Sequence, residues 1–312
     1  MAFRTVPIRT PSSIQSAQKN AKWGGFMAVI DPDYKQIDPF IFLVHHYHKF
    51  RPGEVSGFPA HPHRGFQTVT YTIEGGLHHE DSKGNKGSYN DGDVQWMSAG
   101  SGVLHSEMWM TKKDQPSSFN GFQLWLNLPK KLKMSEPTYH MAWKDEMPEV
   151  ALVPTDNQSD ANSQVEGGNA KIKILAGRVN DKQYHTDTTT PLSFLHVKLD
   201  PKATWTYQVP SSHNCFVYVL EGSGAVGPED KEKPLKNQQF AIFASDGEQV
   251  RIKNTEDIAV LDFLLLEGQP YNEPFVHQGP FVMNSKAELQ QAFADYYAGK
   301  FGKMREDYEH DY

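Results

Sequence analysis

Gln67-Thr-Val-Thr-Tyr-Thr-Ile73 decides the fold class, because six of its seven residues are β-branched or aromatic. Such side chains fit a pleated, half-buried surface and favour a strand. Phe40-Ile-Phe-Leu-Val44, Val94-Gln-Trp-Met97 and Phe122-Gln-Leu-Trp-Leu126 have the same character, with Gly, Asn, Asp or Pro falling between them. Strand centres about 8–12 residues apart, divided by turn residues, mark an all-β sandwich or barrel and not a chain of βαβ units. Helical periodicity is absent from 40–130.

A second stretch of this kind starts near Lys171 and includes Lys171-Ile-Lys-Ile-Leu175, Leu192-Ser-Phe-Leu-His-Val-Lys-Leu199, Cys215-Phe-Val-Tyr-Val-Leu220 and Ala259-Val-Leu-Asp-Phe-Leu-Leu-Leu266. Tyr71-Thr-Ile-Glu-Gly75 aligns without gaps on Tyr218-Val-Leu-Glu-Gly222, and the segment from Gly92 aligns on that from Gln238. These matches imply a duplicated β-domain, divided at 1–135 and 136–312. The polar run 156–169 between the halves buries too little apolar surface to offset ordering entropy and reads as a surface loop or linker. Ser285-Lys-Ala-Glu288 has the capping-box form. Leu289, Ala292, Phe293 and Tyr296 come next at helical spacing, and Gly299 is the stop, so one short C-terminal helix is predicted to pack back on the body.

Composition narrows the function. The chain has 312 residues with Lys+Arg 31 against Asp+Glu 38, a net charge of −7, and no basic run that could track phosphates. Direct nucleic-acid binding is therefore not expected. No window approaches ~18 consecutive apolar residues, and the opening residues lack a signal-peptide core, so a cytoplasmic protein without membrane contact is expected. The lone Cys215 excludes a disulfide framework and a cysteine-based metal site, and reads as a small buried side chain.

The surplus is histidine, 14 in all. In His61-Pro-His-Arg-Gly-Phe66, His61 and His63 point to one face of a strand, because side chains alternate with period two. His105-Ser-Glu107 places an imidazole and a carboxylate in the same way. Two such strands facing each other across a barrel mouth would deliver three nitrogens and one oxygen to a single point. Without thiolate, that set suits divalent Fe, Mn, Co, Ni, Cu or Zn, and open positions on the ion would make it catalytic. Carried through the repeat, His61 and His63 fall on Gln208 and Pro210, and His105 and Glu107 on Arg251 and Lys253. The second barrel is accordingly predicted to be metal-free.

His61-Pro-His-Arg-Gly-Phe66, Asp93-Val-Gln-Trp-Met-Ser-Ala-Gly100, His105-Ser-Glu-Met108, Leu124-Trp-Leu-Asn-Leu128 and Gly279-Pro-Phe-Val-Met-Asn284 together resemble the pirin family over about residues 36–300. The resemblance implies a bicupin: two jelly-roll-type β-barrels with a short C-terminal helix, the metal lying in the N-terminal barrel. It implies His61, His63, His105 and Glu107 as ligands, and Fe(II) as the usual ion. Where many cupins place a ligating Glu this chain has Gln67, a position that pirins do not use for ligation. The resemblance also implies an activity, quercetin 2,3-dioxygenase, with a flavonol and O2 as substrates and Glu107 as the general base. The alternative it implies is an iron-dependent, redox-sensing co-regulator that binds transcription factors or metabolic enzymes. Lys130-Lys131-Leu-Lys133 is too short to read as a nuclear signal.

The remaining histidines have plainer readings. His45, His46 and His48 read as packing or surface residues, with His46 and His48 sharing a face. His78 and His79 are placed in a solvated hairpin loop, and His213 in a loop or on the surface. Trp96 and Trp125 are predicted core, and Asp246-Gly-Glu248 a turn.

Overall fold

The strand foreseen at Gln67–Ile73 runs over Phe66–Glu74 in the computed structural model, which describes residues 7–19, 26–30, 35–154, 161–185 and 187–305. Val94–Ser98 and Ser117–Asn127 pair with its two edges. Thr138–Ala142 and Phe40–Phe50 extend the sheet beyond them, and every one of these pairings is antiparallel. A second sheet has the order Gly57–His63, Val103–Trp109, Leu77–Asp81, Lys86–Tyr89. Residues 40–146 and 272–305 form this unit.

Residues 7–18, 35–39 and 147–271 form the other. One of its sheets runs Thr204–Gln208, Gln249–Asn254, Ser223–Val226, Lys233–Lys236, repeating the order of the second sheet above strand for strand, with Ser163–Glu166 added at its edge. Its other sheet carries Gln239–Phe243, Asn214–Glu221, Leu261–Gly268 and Leu192–Leu199 in succession. The duplication is therefore visible in topology. Between these sheets Leu195, Val197, Phe263 and Leu265 meet Trp205, Tyr207, Val250 and Ile252 in one aliphatic and aromatic core. Trp205 Nε1 donates to Ser163 Oγ at 2.7 Å, which satisfies the one polar atom of that ring.

Among the described residues the structure is all-β with one short α-helix, as expected, but the sheets stay open and jelly-roll-like instead of closing into barrels. The units also interleave where the sequence reading divided the chain at 135/136. Pro11–Ser16 pairs with Gln239–Phe243 in the later unit, while 136–146 and the C-terminal segment join the earlier one. Apolar burial explains the second assignment. Phe281, Met283, Leu289, Ala292 and Phe301 form a buried cluster with Leu104 packed against it. The helix runs over Lys286–Tyr297, its N-cap Ser285 accepting from the Glu288 backbone N–H at 3.2 Å. Of the run read as a loop at 156–169, Ser163–Glu166 is a strand paired with Thr204–Gln208, because Ser163 and Val165 turn inward. Residues 156–160 lie outside the described residues.

Lys133 ties the C-terminal segment to the first sheet from within. Its side chain is buried, and Nζ donates to Gly65 O at 2.7 Å, Asn127 Oδ1 at 2.6 Å and Val282 O at 3.1 Å. Removing the donor leaves three buried acceptors without it, and each unmade hydrogen bond carries a desolvation cost. Lys133→Ala is therefore expected to destabilise the protein by about 2–4 kcal/mol. A shift in the urea unfolding midpoint at unchanged slope would measure it, and a change within about 0.5 kcal/mol would refute it.

Candidate metal centre

Gly57–His63 and Val103–Trp109 are hydrogen-bonded neighbours in one sheet, not strands facing each other across a mouth. His61 sits directly opposite His105, and His63 opposite Val103. The register slips between His105 and Glu107, so that Glu107 faces Phe58. A bulge of this kind puts one additional residue on one strand and re-aims the side chains beyond it. Here it brings Phe58 to the side of His61, with ring centroids 6.2 Å apart.

The three imidazoles converge. Their centroids lie 4.3 Å (His61–His105), 4.8 Å (His61–His63) and 4.8 Å (His63–His105) apart. One ring nitrogen from each falls within 4.8 Å of the other two, close enough to hold a single ion. His61 Nδ1 lies 2.9 Å from Pro59 O, and His63 Nδ1 lies 3.4 Å from Pro280 O. A carbonyl can only accept, so both Nδ1 atoms carry the proton and both Nε2 atoms keep a free lone pair. His63 Nε2 and both nitrogens of His105 are buried without a hydrogen-bond partner. Unpartnered buried nitrogens facing one another are what a bound cation would satisfy, and three imidazoles suit a borderline-soft divalent ion.

Glu107 is buried, two residues from His105, but it is not among the converging atoms. Gln123 Nε2 donates to its Oε2 at 2.9 Å, while Thr70 Oγ1 and Tyr89 OH lie 3.3 Å from Oε1. Burial holds His63 and His105 well below the ordinary imidazole pKa, and their imidazole neighbours push in the same direction. His61 is lowered by burial too, an effect opposed by the Glu107 charge. Neutral rings are the form that binds metal. Tyr89 is pushed well above its usual value by burial and then by Glu107, so its hydroxyl keeps its proton as a donor.

The second unit presents different chemistry at the matching strands. Arg251 ion-pairs with Glu232, and the inward side chains opposite one another are Tyr207 with Val250 and Trp205 with Ile252. The inward register is one residue away from the repeat alignment, and no imidazole occupies it. His213 lies in the loop before Asn214–Glu221, as one of its two readings had it, but is buried and not on the surface, because its Nδ1 pairs with Glu267 and its carbonyl accepts from the buried Arg9 at 2.7 Å. Cys215 is fully buried and burial pushes its thiol up, as a small core side chain.

The loop reading of His78 and His79 is overturned, since both lie on the Leu77–Asp81 strand. His79 is fully buried on the Leu77–Asp81 strand opposite Glu107, not in a solvated loop. Its ring stacks on Tyr139 at 4.6 Å and lies 5.4 Å from His105, with Nδ1 3.2 Å from Gln95 Nε2. The alternation Leu77-His-His-Glu-Asp81 was the available signal: His79 and Asp81 share one face. His46 and His48 share a face, as read, and pack with Trp109 and Phe50 in the interior. Trp96 and Trp125 are buried as expected, and Trp125 also meets His63 edge-on at 5.3 Å.

Residues 22–126 match the family model described as Pirin, and residues 194–302 the one described as Pirin C-terminal cupin domain. A pirin-like protein of Solanum lycopersicum is 38% identical over 274 residues, spanning 88% of this chain and 85% of that protein. Pirin of Homo sapiens is 35% identical over 275 residues, 88% of this chain and 86% of that protein. Among solved structures, quercetin 2,3-dioxygenase of Acinetobacter baumannii superposes with a TM-score of 0.81 at 31% identity, covering 95% of this chain and 99% of that one. Among the described residues no helix is long and apolar enough to cross a membrane.

Interior histidines set a pH dependence. Burial lowers His46 to about 3 and His45 to about 4, so between pH 6.5 and those values the unfolded chain binds protons that the folded chain refuses. Stability from these groups is complete above pH 6.5 and falls as the solution is acidified. Urea midpoints of the metal-free chain should drop from pH 7.5 to pH 5, and His46→Phe should flatten the drop. An equal slope in the variant would show that His46 does not contribute.

Proposed function

The chain belongs to the pirin family, and on that premise we propose that it is a metal-dependent dioxygenase cleaving flavonols such as quercetin. The observation that carries the reading is the convergence of His61, His63 and His105, with buried nitrogens of His63 and His105 that no protein group satisfies. The likeness to the Acinetobacter dioxygenase over nearly the whole chain supports it.

His61, His63 and His105 would hold the ion, with Glu107 as a fourth, anionic ligand or as the base beside it. A divalent ion there, which we take to be Fe(II), would act as a Lewis acid that lowers the pKa of a coordinated hydroxyl and draws in a chelating substrate. The protein's own contributions are binding, orientation and proton handling. Glu107 is the carboxylate within the interior that can accept the 3-hydroxyl proton of the flavonol, and Gln123, Thr70 and Tyr89 hold it in place to do so. Phe58, Trp109 and Trp125 supply aromatic walls beside the histidines, suited to a flat polyphenol. The substrates are the flavonol and O2, and the products are the cleaved depside and carbon monoxide.

Charge sharpens the substrate reading. A divalent ion with one carboxylate keeps about one positive charge, which a flavonolate neutralises while chelating through two oxygens. Quercetin should be consumed and luteolin, which lacks the 3-hydroxyl, should not. The check is a parallel aerobic assay of the Fe(II)-loaded protein with a metal-stripped control. Equal turnover of the two compounds would contradict chelation. No turnover of either, with metal confirmed, would move the reading to the protein-binding co-regulator.

The ligand assignment has its own test. His61→Ala and His105→Ala should each lose nearly all bound metal by elemental analysis. Glu107→Gln should retain much of it, since three imidazoles remain, but should lose turnover. Full stoichiometry in both histidine variants would overturn the assignment.

A further inference from the structure

The tautomer of His63 is set from far along the chain. Its Nδ1 faces the carbonyl of Pro280, 217 residues away in sequence, and the Arg64 backbone N–H donates to the same oxygen at 3.4 Å. The Val282 N–H returns a bond to Arg64 O at 3.1 Å, so Arg64 and Phe281 form a parallel bridge. The contact is fastened by a side chain. Arg64 Nε donates to Ser101 O at 2.7 Å, and its Nη1 reaches Asp295 Oδ2 at 2.9 Å on the C-terminal helix. The guanidinium lies 4.6 Å from the Phe301 ring centroid. Asp295 also accepts from Lys300 Nζ at 2.8 Å and Gln291 Nε2 at 2.9 Å, so its carboxylate is fixed by three neighbours. On the near side, His277 lies 5.6 Å edge-on to Trp125, whose ring meets His63.

We propose that the segment Val276–Phe301 is a metal-linked clasp in which the Pro280 carbonyl positions His63 for ligation and Asp295, through Arg64, latches the clasp shut. This rests on the metal centre proposed above. A carbonyl holding the outer nitrogen of a ligating imidazole fixes the ring and raises its basicity, and loss of such a partner weakens metal binding by about 10–100-fold. Linkage makes the effect reciprocal: if docking of the segment strengthens metal binding, metal binding strengthens docking by the same factor. Occupancy of the site is thereby reported on a surface formed by the C-terminal helix. Asp295 is a positioning residue, since it touches none of the three imidazoles.

Amide hydrogen exchange on the full chain, metal-free and loaded with Co(II), tests this without any assay of turnover. Metal should slow exchange of Val282 and of the Lys286–Tyr297 helix severalfold, while peptides from Leu192–Leu199 stay unchanged. Asp295→Ala should speed exchange across the same segment and weaken Co(II) binding about tenfold, measured by competition with a chelator, and Asp295→Asn should fall between it and the native chain. Co(II) binding that protects 57–63 and 103–109 but leaves 276–301 unchanged overturns the clasp and leaves the metal centre standing. Native Co(II) affinity in an Asp295→Ala chain with a loosened segment overturns it equally. Failure to bind Co(II) at all overturns the centre and the clasp with it. Should Asp295→Ala not fold, the exchange comparison on the native chain decides alone.

Discussion

Three imidazoles converge at one place, two of them buried and His61 partly exposed, and the inward nitrogens of His63 and His105 find no hydrogen-bond partner. Burial keeps them uncharged, and that same burial leaves their lone pairs unsatisfied. Such an arrangement costs free energy and must be held by its surroundings. The bulge beside Pro59, the carbonyls of Pro59 and Pro280, and the aromatic rings of Phe58 and Trp125 all act on these side chains. Arg64 and Lys133 act one step further out, fastening the backbone from which His63 projects.

The duplicated unit shows what happens when that demand is absent. Its strands keep the same order, yet Trp205, Tyr207, Val250 and Ile252 fill the matching interior, and the polar atoms of both aromatic rings are bonded. One copy devotes its interior to packing and the other leaves it polar and incompletely bonded. Among the described residues the unsatisfied buried atoms fall mostly in the copy with the histidines, including Thr68, Thr72, Gln95 and Trp109.

Much of this was legible from local pattern. Runs of β-branched and aromatic residues between turn residues located Phe66–Glu74 and its neighbours, the capping box marked Ser285, and the spacing His-x-His gave the shared face of His61 and His63. What escaped depends on contacts distant in sequence. The residues around His79 alternate weakly, and whether Leu77–Asp81 is a loop or a strand is decided by its pairing with Val103–Trp109. Gln123 reads as an ordinary polar strand residue until a strand of the other sheet brings Glu107 to its amide. The interleaving of the units was hidden for the same reason: an apolar helix announces that it will pack, but not on which copy. The neighbour relation between the two histidine strands likewise emerges from the sheet order alone.

Interleaving has a consequence for synthesis. His61, His63 and His105 leave the ribosome long before Pro280, Val282 and Asp295 are made, and until then His63 lacks the carbonyl that orients it. A nascent or broken chain that ends within the second unit carries every proposed ligand and yet presents an unfinished coordination pocket. If the proposed clasp holds the metal centre, tight metal capture would wait for the late stages of translation. Chains cut short would compete poorly for a scarce ion, so the arrangement sorts finished molecules from fragments before any partner or substrate meets them.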